Sequence, residues 1–493
     1  MSLVSARAWR ARVGVAALTF CGVSNAAPSV LGADDARHLL NRTSFAASPA
    51  EIDTYSRLTR EQAVARLFAS TQRTPVTPPP RWTTEPFYWA RLARMTPEER
   101  QAAQRDRREK GIELRAWWLE EMRVTPSALT EKMTLFWHNH FVSSDQKVRS
   151  PQLMYRQNAL LRRHALGHFG GMLHEVARDP AMVIYLDSAS NRKAQPNENF
   201  ARELMELFTL GEGHYTERDV KEAARAFTGW SIDLDRGEYL FRRMQHDDGT
   251  KTFLGRTGNF GGDDVLKILL AHPRTAEHIV EKLWREFVSP APDAAEVKRI
   301  ARRFRDSGYD IQAALRAILV SDAFYATENR AALVKSPVDL VVGTLRQFRF
   351  STGEMLPFAF VVAQLGQNLF APPNVKGWPG GEAWINSTTL LGRKQLLERL
   401  FRDDDEASMA GSPSAGRPGM KGIAAVNNGR ERIRRAMAEV RFDAPRWFAQ
   451  MPAGADGLQR VILPAAPANG APAGAEGLHA VRLLTQDPVY QLK

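Results

Sequence analysis

The sequence predicts a mainly α fold: an irregular multi-helix globular body with one small β-hairpin near residues 238–254. Ser and Thr capping signals recur along the chain, and between them apolar residues recur with the 3.6-residue period of a half-buried helix. The hairpin is predicted by two short runs rich in β-favouring residues, Tyr239-Leu240-Phe241 and Thr252-Phe253-Leu254. They lie on either side of Asp247-Asp248-Gly249, a typical turn sequence.

Helix starts are the clearest local signals. Thr96-Pro97-Glu98-Glu99 is a capping box with proline at the first helical position, and it predicts a helix running toward Arg123 that Gly111 interrupts. A second helix is predicted from Ser127, with His140 on its apolar stripe and His138 on the opposite, surface side. Further helices are predicted after Thr216, from Pro273 to Val288 and after Ser336. Another is predicted to begin at Ser387, which would be its capping residue.

Four segments are predicted along the chain. Residues 1–26 read as a signal peptide, and residues 27–401 as a helical main domain. Residues 402–429 are rich in Asp, Gly, Ser and Pro, which is typical of a flexible insertion or linker. Residues 430–493 are predicted to form a C-terminal helical segment that packs back on the main domain.

The N-terminus carries the pattern of a Sec-type export signal. Three arginines in the first twelve residues precede the short apolar run 13–23, and small residues favour cleavage near Ala26. That run is too short for a membrane span, so no transmembrane domain is expected after cleavage. Cleavage also removes the single cysteine, Cys21, which suits an oxidising compartment. We therefore expect a periplasmic or secreted protein.

The net charge excludes one partner class. Lys and Arg total 67 against 55 Asp and Glu, a formal charge of +12. The basic residues are interleaved with acids, as in Arg105-Asp106-Arg107-Arg108-Glu109, which is typical of a solvated helix face. No nucleic-acid partner is therefore expected, whereas peripheral contact with an anionic cell envelope fits the charge.

The densest group of polar residues lies on the predicted helix 197–206. Asn199, Glu203 and Glu206 are spaced to form one strip beside its apolar face, so the two glutamates are candidate catalytic acid/base groups. Such oxygen ligands also suit a divalent hard cation, although the sequence does not identify a metal. The alternative is a solvent-facing ion-pair ladder of Glu198, Arg202 and Glu206. The candidate ligand-binding residues here are Asp187, Asn191, Asn197, Asn199 and Arg202.

His140 and His246 are further candidates for catalysis. His138 and His140 lie about 200° apart on a helix, so they cannot share one metal. His140 is either a catalytic group or a hydrogen-bonded core histidine. His246 on the hairpin is a candidate base, with Asp247 and Lys251 as ligand-binding candidates, unless these three residues only build the turn.

A loop rich in Pro and Gly presents two tryptophans. It runs from Pro372 to Ser387 and contains Lys376-Gly377-Trp378-Pro379-Gly380-Gly381. The candidate ligand-binding residues are Trp378, Trp384 and Asn386. Aromatic faces on such a loop can stack on sugar rings or close over a pocket, or else hold the loop against the core.

These segments resemble the bacterial domain of unknown function 1800 family. The resemblance rests on Trp137-His138-Asn139-His140-Phe141, on the run from Pro196 to Gly211 and on the tryptophan loop, and it spans nearly the whole mature chain. Shorter matching segments are His38–Arg42, Thr228–Trp230, His246-Asp247 with Lys251, Lys335–Pro337 and Asp487–Lys493. The resemblance implies an exported, mostly helical protein, with an exported sulfatase-like family protein as its partner.

Two functions of different classes remain open. One is an extracytoplasmic helical binding or accessory protein that works with an exported partner. The other is a cell-envelope hydrolase, directed at glycans, that uses the acidic residues of helix 197–206 with or without a bound cation. Convergence of Asn199, Glu203, His140 and His246 on one water-accessible cleft would favour the hydrolase.

Overall fold

The computed structural model describes residues 29–85, 95–402, 424–451, 455–470 and 474–493. These residues form 23 α-helices and two small antiparallel sheets of two strands each. The mainly α fold with a small hairpin is therefore confirmed. The predicted signal peptide and most of the predicted linker 402–429 lie outside the described residues, so both stay predictions.

The first half of the chain contributes short helices around one long one. The helices are α1 Gly32–Thr43, α2 Pro49–Ser56, α3 Arg60–Ala69, α4 Pro97–Val124, α5 Ala128–His140, α6 Asp145–Val148, α7 Pro151–His164, α8 Phe169–Ala177, α9 Pro180–Tyr185, α10 Asn199–Glu203 and α11 Glu217–Ala226. A π-helical turn, Leu204–Thr209, continues α10.

The second half starts with the strands and returns to helices. The strands are β1 Trp230–Asp233, β2 Glu238–Phe241, β3 Lys251–Phe253 and β4 Arg256–Gly258. The helices are α12 Gly262–Ala271, α13 Pro273–Phe287, α14 Ala294–Asp306, α15 Ile311–Leu319, α16 Asp322–Tyr325, α17 Pro337–Gln347, α18 Leu356–Gln364, α19 Ser387–Leu400, α20 Ala424–Ala438, α21 Ala444–Phe448, α22 Ala455–Ile462 and α23 Gly477–Gln486.

The predicted capping boxes form. Thr96, Thr216 and Ser336 each accept from the backbone N–H three residues on, and the acidic residue there returns the hydrogen bond. Two details differ from the prediction. Helix α4 runs unbroken through Gly111, and Asn386 rather than Ser387 caps α19.

The two predicted β runs do not pair with each other. Strand β2 pairs with β1, and β3 pairs with β4. Leu254 and Gly255 have φ values of 46° and 75°, the left-handed backbone that a tight two-residue hairpin requires. Asp247-Asp248-Gly249 is instead a loop between the hairpins. Each strand thus pairs through a short local connection, which costs less chain entropy than a longer one.

Helix α5 lies between two hydrophobic cores. Its Met133 and Trp137 pack in the core formed mainly with α1, α3, α8 and α11–α16, whereas its Leu135 joins the core of α4, α17–α19 and the C-terminal helices. Because α5 is covered on almost all sides, His138 cannot reach solvent. His138 is 1 % exposed, so the predicted surface position is wrong.

The last residues of the chain contact α17 and the segment before it. The Tyr490 hydroxyl lies 2.8 Å from Thr344 Oγ1, Leu492 forms a β-bridge with Val334, and the Lys493 ammonium donates to Asp339. The proposed segment boundaries stay a prediction. Within the described part of the chain, no helix is both long enough and apolar enough to span a bilayer.

Candidate functional site

A cavity of about 410 Å³ lies between α5, α13 and the loop before α19. Helix α5 turns its half-buried Phe136 and Asn139 toward it, together with His140. Trp378 and Trp384, both buried, also line the cavity. The cavity therefore brings together three of the residues that the sequence singled out: His140, Trp378 and Trp384.

Asn139 fastens the tryptophan loop to α5. Its Oδ1 accepts from the Trp378 backbone N–H at 2.7 Å, and its Nδ2 donates to the Trp378 carbonyl at 3.4 Å. Gly377 has a φ of 82°, and a Cβ there would lie 2.2 Å from Asn139 Oδ1. Only glycine allows both the backbone conformation and this close approach. The Trp137–Phe141 segment and the tryptophan loop are thus two halves of one wall.

Lys376 and Trp378 give the loop two further attachments. The Lys376 ammonium lies 3.3 Å from Glu212 and 3.7 Å from Glu206. Trp378 also packs its ring against His138, with the ring centroids 5.6 Å apart. Burial lowers the pKa of His138 to about 4, so this histidine is a neutral packing partner of the loop.

A buried ion network forms one side of the cavity. Asp339 accepts from Lys132 at 2.6 Å and from Lys493 at 2.7 Å, and all three side chains are almost fully buried. Glu286 lies 3.2 Å from Lys493 and 3.8 Å from Lys132. The two ammonium groups hold the pKa of Asp339 far below its usual value despite burial. Both carboxylates that line the cavity are therefore occupied.

Two cationic side chains of α13 line the cavity without a carboxylate partner. The Lys282 ammonium donates to the Leu207 carbonyl at 2.9 Å and to His140 Nδ1 at 3.1 Å. Burial, followed by the neighbouring charge of Arg285, lowers the pKa of Lys282 to about 8. Arg285 is exposed at the cavity and makes no ion pair with any described residue.

The π-helical turn explains the position of His140 and Lys282. A helix leaves its last carbonyls without backbone donors, and cations are favoured near that end. Here Leu207 O accepts from both Lys282 and His278, and Phe208 O accepts from His140 Nε2 at 3.2 Å. Since Lys282 donates to Nδ1, the proton of His140 lies on Nε2. His140 is thus a hydrogen-bonded core histidine that also faces the cavity.

The two candidate acids lie beside the cavity wall, not in it. Glu206 accepts from the Tyr215 hydroxyl at 3.1 Å and approaches Lys376, so it takes no part in the predicted ladder with Arg202. Glu203 is half-buried and makes no hydrogen bond or ion pair with any described residue. Burial, followed by the charge of Glu206, raises the pKa of Glu203.

The polar residues around α10 mostly hold backbone. Asn191 is buried and bridges the Ala224 carbonyl and the Asn197 N–H, each at 2.9 Å. Asn197 Oδ1 accepts from the Asn199 N–H at 2.9 Å. On the surface, Asp187 accepts from Lys147 at 2.7 Å and from Asn199 at 3.2 Å, and Arg202 pairs with Glu217 and Glu198. None of these candidates lines the cavity.

The three candidates in and beside the loop between the hairpins hold that loop in place. His246 is buried and donates from Nδ1 to the Thr228 carbonyl at 2.8 Å. Asp247 pairs with Arg225 at 2.7 Å. The buried Lys251 ammonium donates to the carbonyls of Asp247 and Gly249, at 2.6 and 3.0 Å. Their polar groups are used locally, and none of the three lines the cavity.

The comparisons with known proteins give one match. A family profile described as a protein of unknown function (DUF1800) matches residues 38–492 of this chain. The chain belongs to the DUF1800 family. No curated protein and no solved structure matches it. The resemblance that the sequence motifs indicated is therefore confirmed, and this DUF1800 protein takes no function from a characterised relative.

The sequence of this DUF1800 protein did not mark most of the charged residues that line the cavity as candidates. Lys282 and Arg285 lie off the apolar stripe of the helix predicted from Pro273 to Val288, and the capping signal at Ser336 gave Asp339 only a local role. Lys132 carried no distinct signal, because α5 also contains Glu131, Thr134 and Asn139 among its apolar residues. Asn386, a candidate ligand-binding residue, caps α19: its side-chain oxygen accepts from the Thr389 N–H at 3.0 Å.

The structure also bears on the suggested divalent cation. Throughout the described ranges, no three His, Asp or Glu side chains are close enough to hold a metal ion together. The carboxylates of Glu203 and Glu206 lie beside Tyr185, Tyr215 and Lys376. A lysine next to the pair competes with a cation for the same oxygens.

Proposed function

We propose that this DUF1800 protein is an extracytoplasmic binding or accessory protein whose ligand occupies the cavity between α5, α13 and the tryptophan loop. One observation carries the proposal. Two of the segments that carry the family resemblance, Trp137–Phe141 and the loop 372–386, are joined through Asn139 and Gly377 to build the cavity wall. Such precise local geometry is expensive to maintain, and a preformed pocket is a reason to maintain it.

The size and lining of the cavity favour a small cyclic ligand. A volume of about 410 Å³ lies in the range of small-molecule sites, roughly 300–1,000 Å³. Trp378 and Trp384 supply aromatic surface, while Gln367 and Ser336 supply hydrogen-bonding groups. A sugar ring combines an apolar face with hydroxyl groups and so matches this lining. A saccharide unit of the cell envelope is the ligand class we propose.

Export and partnership are parts of the same proposal. The arginines and apolar run before Ala26 support export, and the family resemblance supports an exported sulfatase-like partner. In this role the protein would hold a saccharide end for the partner enzyme. Peripheral contact with the anionic envelope would follow from the positive charge.

The test of binding uses tryptophan fluorescence titrations with a panel of neutral and acidic mono- and disaccharides. Trp384→Phe should weaken binding at least tenfold, because it removes much of the aromatic wall. Trp82→Phe is the matched control, since Trp82 is equally buried and also lies in a short 3₁₀-helix remote from the cavity. Unchanged affinity in Trp384→Phe would contradict the proposed site.

The hydrolase remains a second candidate for one reason. Glu203 has a raised pKa and an unused carboxyl group, as a general acid requires, and Glu206 beside it interacts with a lysine of the cavity. If the protein hydrolyses its ligand, Glu203→Gln should abolish turnover of a bound oligosaccharide and leave its affinity unchanged. Bound ligand that stays intact in the wild type would leave binding as the function.

A further inference from the structure

We propose that the ligand in this cavity carries an oxoanion, a carboxylate or a sulfate ester, that is bound between Lys282 and Arg285. The inference rests on the proposed function only in placing the ligand in the cavity. It names a chemical class for that ligand, an acidic saccharide rather than a neutral one, and it follows from the distribution of charge around the cavity.

The cavity lining has an excess of cationic side chains. Five of its side chains are Lys or Arg and two are carboxylates. The carboxylates, Asp339 and Glu286, are already bound by Lys132 and Lys493. Lys376 is bound outside the cavity by Glu212 and Glu206. Lys282 and Arg285 make no ion pair with a described carboxylate, and Glu281, whose charge also acts on Arg285, is itself paired with Arg274.

Lys282 and Arg285 are placed to bind one oxoanion together. They lie three residues apart on α13, so they are neighbours on the same face of the helix. Lys282 is held in place by two neutral acceptors, Leu207 O and His140 Nδ1. Arg285 donates no hydrogen bond to any described residue, and its guanidinium fork matches a carboxylate or sulfate edge.

The surroundings make a bound anion favourable. An isolated buried ammonium is costly unless a counter-charge compensates it. The charge of Arg285 adds repulsion, which is one cause of the lowered pKa of Lys282. An oxoanion between the two would relieve both costs. His140 and His278 next to Lys282 have pKa values below the usual range, because both are buried and Lys282 is close, so neither adds a charge at neutral pH.

The experiment compares three sugars that differ in the group at C6, which is neutral in one and anionic in two. Glucuronic acid, glucose 6-sulfate and glucose are titrated by calorimetry, with inorganic sulfate as a fourth probe. Either acidic sugar should bind at least about tenfold more tightly than glucose, and the better of the two identifies carboxylate or sulfate as the group. Arg285→Gln should lower affinity for the acidic sugar about tenfold without affecting glucose. Because Arg285 is exposed, this variant should fold.

Arg302→Gln is the matched control. Arg302 is an exposed arginine of α14 that makes no ion pair with any described residue, and it does not line the cavity. Equal affinity for acidic sugars and glucose overturns the inference, as does full affinity in Arg285→Gln. The absence of saturable binding of every charged probe, sulfate included, also overturns it. Tight binding of glucose that Trp384→Phe weakens would refute the oxoanion while supporting the proposed function.

Discussion

Replacing Asp339 with asparagine should destabilise this protein by about 3–5 kcal/mol, the usual cost of removing one partner from a buried ion pair. Asparagine keeps the shape of the side chain but loses its charge, and its amide N–H₂ group would face one of the two ammonium groups. The ammonium groups of Lys132 and Lys493, 2.6 and 2.7 Å away, would then share only Glu286, which is farther from both and one third exposed. Two buried cations would be left with incomplete compensation.

Thermal unfolding at neutral pH measures this effect. For a chain of this size we expect Tm to fall by about 3–5 °C. Asp53→Asn is the control, because Asp53 forms an exposed pair with Arg57 at 2.7 Å that contributes less than about 1 kcal/mol. Adding Lys132→Met to Asp339→Asn should recover part of the loss, since one stranded ammonium is removed.

The pH dependence of Asp339 has a definite sign. Its pKa in the folded protein is lowered, so its stabilisation is complete above the ordinary pKa of an aspartate. The stabilisation is lost only as the pH falls through the lowered value in strong acid.

The reasoning would be refuted if the free energy of unfolding of Asp339→Asn lay within about 1 kcal/mol of the wild type at neutral pH. That result would mean that the ion network is hydrated.

Three further predictions concern the cavity wall and its surroundings. Gly377→Ala should lower the free energy of unfolding by at least ~2 kcal/mol, because its Cβ would clash with Asn139, and it should weaken ligand binding in calorimetry. Gly380→Ala is the control. Gly380 has a similar φ of 71° but no neighbour within 4 Å, so this variant should show only the cost of backbone strain. Glu203→Gln should change the free energy of unfolding by less than ~0.5 kcal/mol in chemical denaturation, and a larger loss would reveal a structural partner. Affinity for an acidic sugar should be constant below pH 7 and fall about tenfold by pH 9 in calorimetric titrations, as Lys282 loses its proton with a pKa of about 8, and a flat profile would contradict a role for its charge.

Much of the fold could be predicted because its signals are local. A capping box such as Thr96 with Glu99 lies within four residues, and the stripe of α13 within fifteen. The position of α5 could not be predicted in this way. Its burial on almost every side depends on α17 and on the tryptophan loop, whose Trp378 packs on His138, and both come from distant parts of the sequence. For that reason His138 looked like a surface residue and is in the core.

The site was harder to predict, because the sequence shows which residues are polar but not which ones are already bound. Asn191, His246 and Lys251 looked like ligand-binding groups, and each binds a nearby backbone carbonyl. Lys282 and Arg285 lie off the apolar stripe of the predicted helix. Their lack of a carboxylate partner emerges only when Asp339 and Glu286, from other elements, are seen to be taken.

The π-helical turn relates the acidic motif to the cavity without making its glutamates part of the lining. Because the turn ends beside α13, its last carbonyls draw Lys282 and His140 to one place and hold them there. A cation that is already fixed loses little conformational entropy when it binds an anion, so Lys282 is preorganised for the oxoanion. The motif from Pro196 to Gly211 would then contribute to binding through backbone carbonyls, and substitution of its side chains should affect the cavity only where it displaces Leu207 or Phe208.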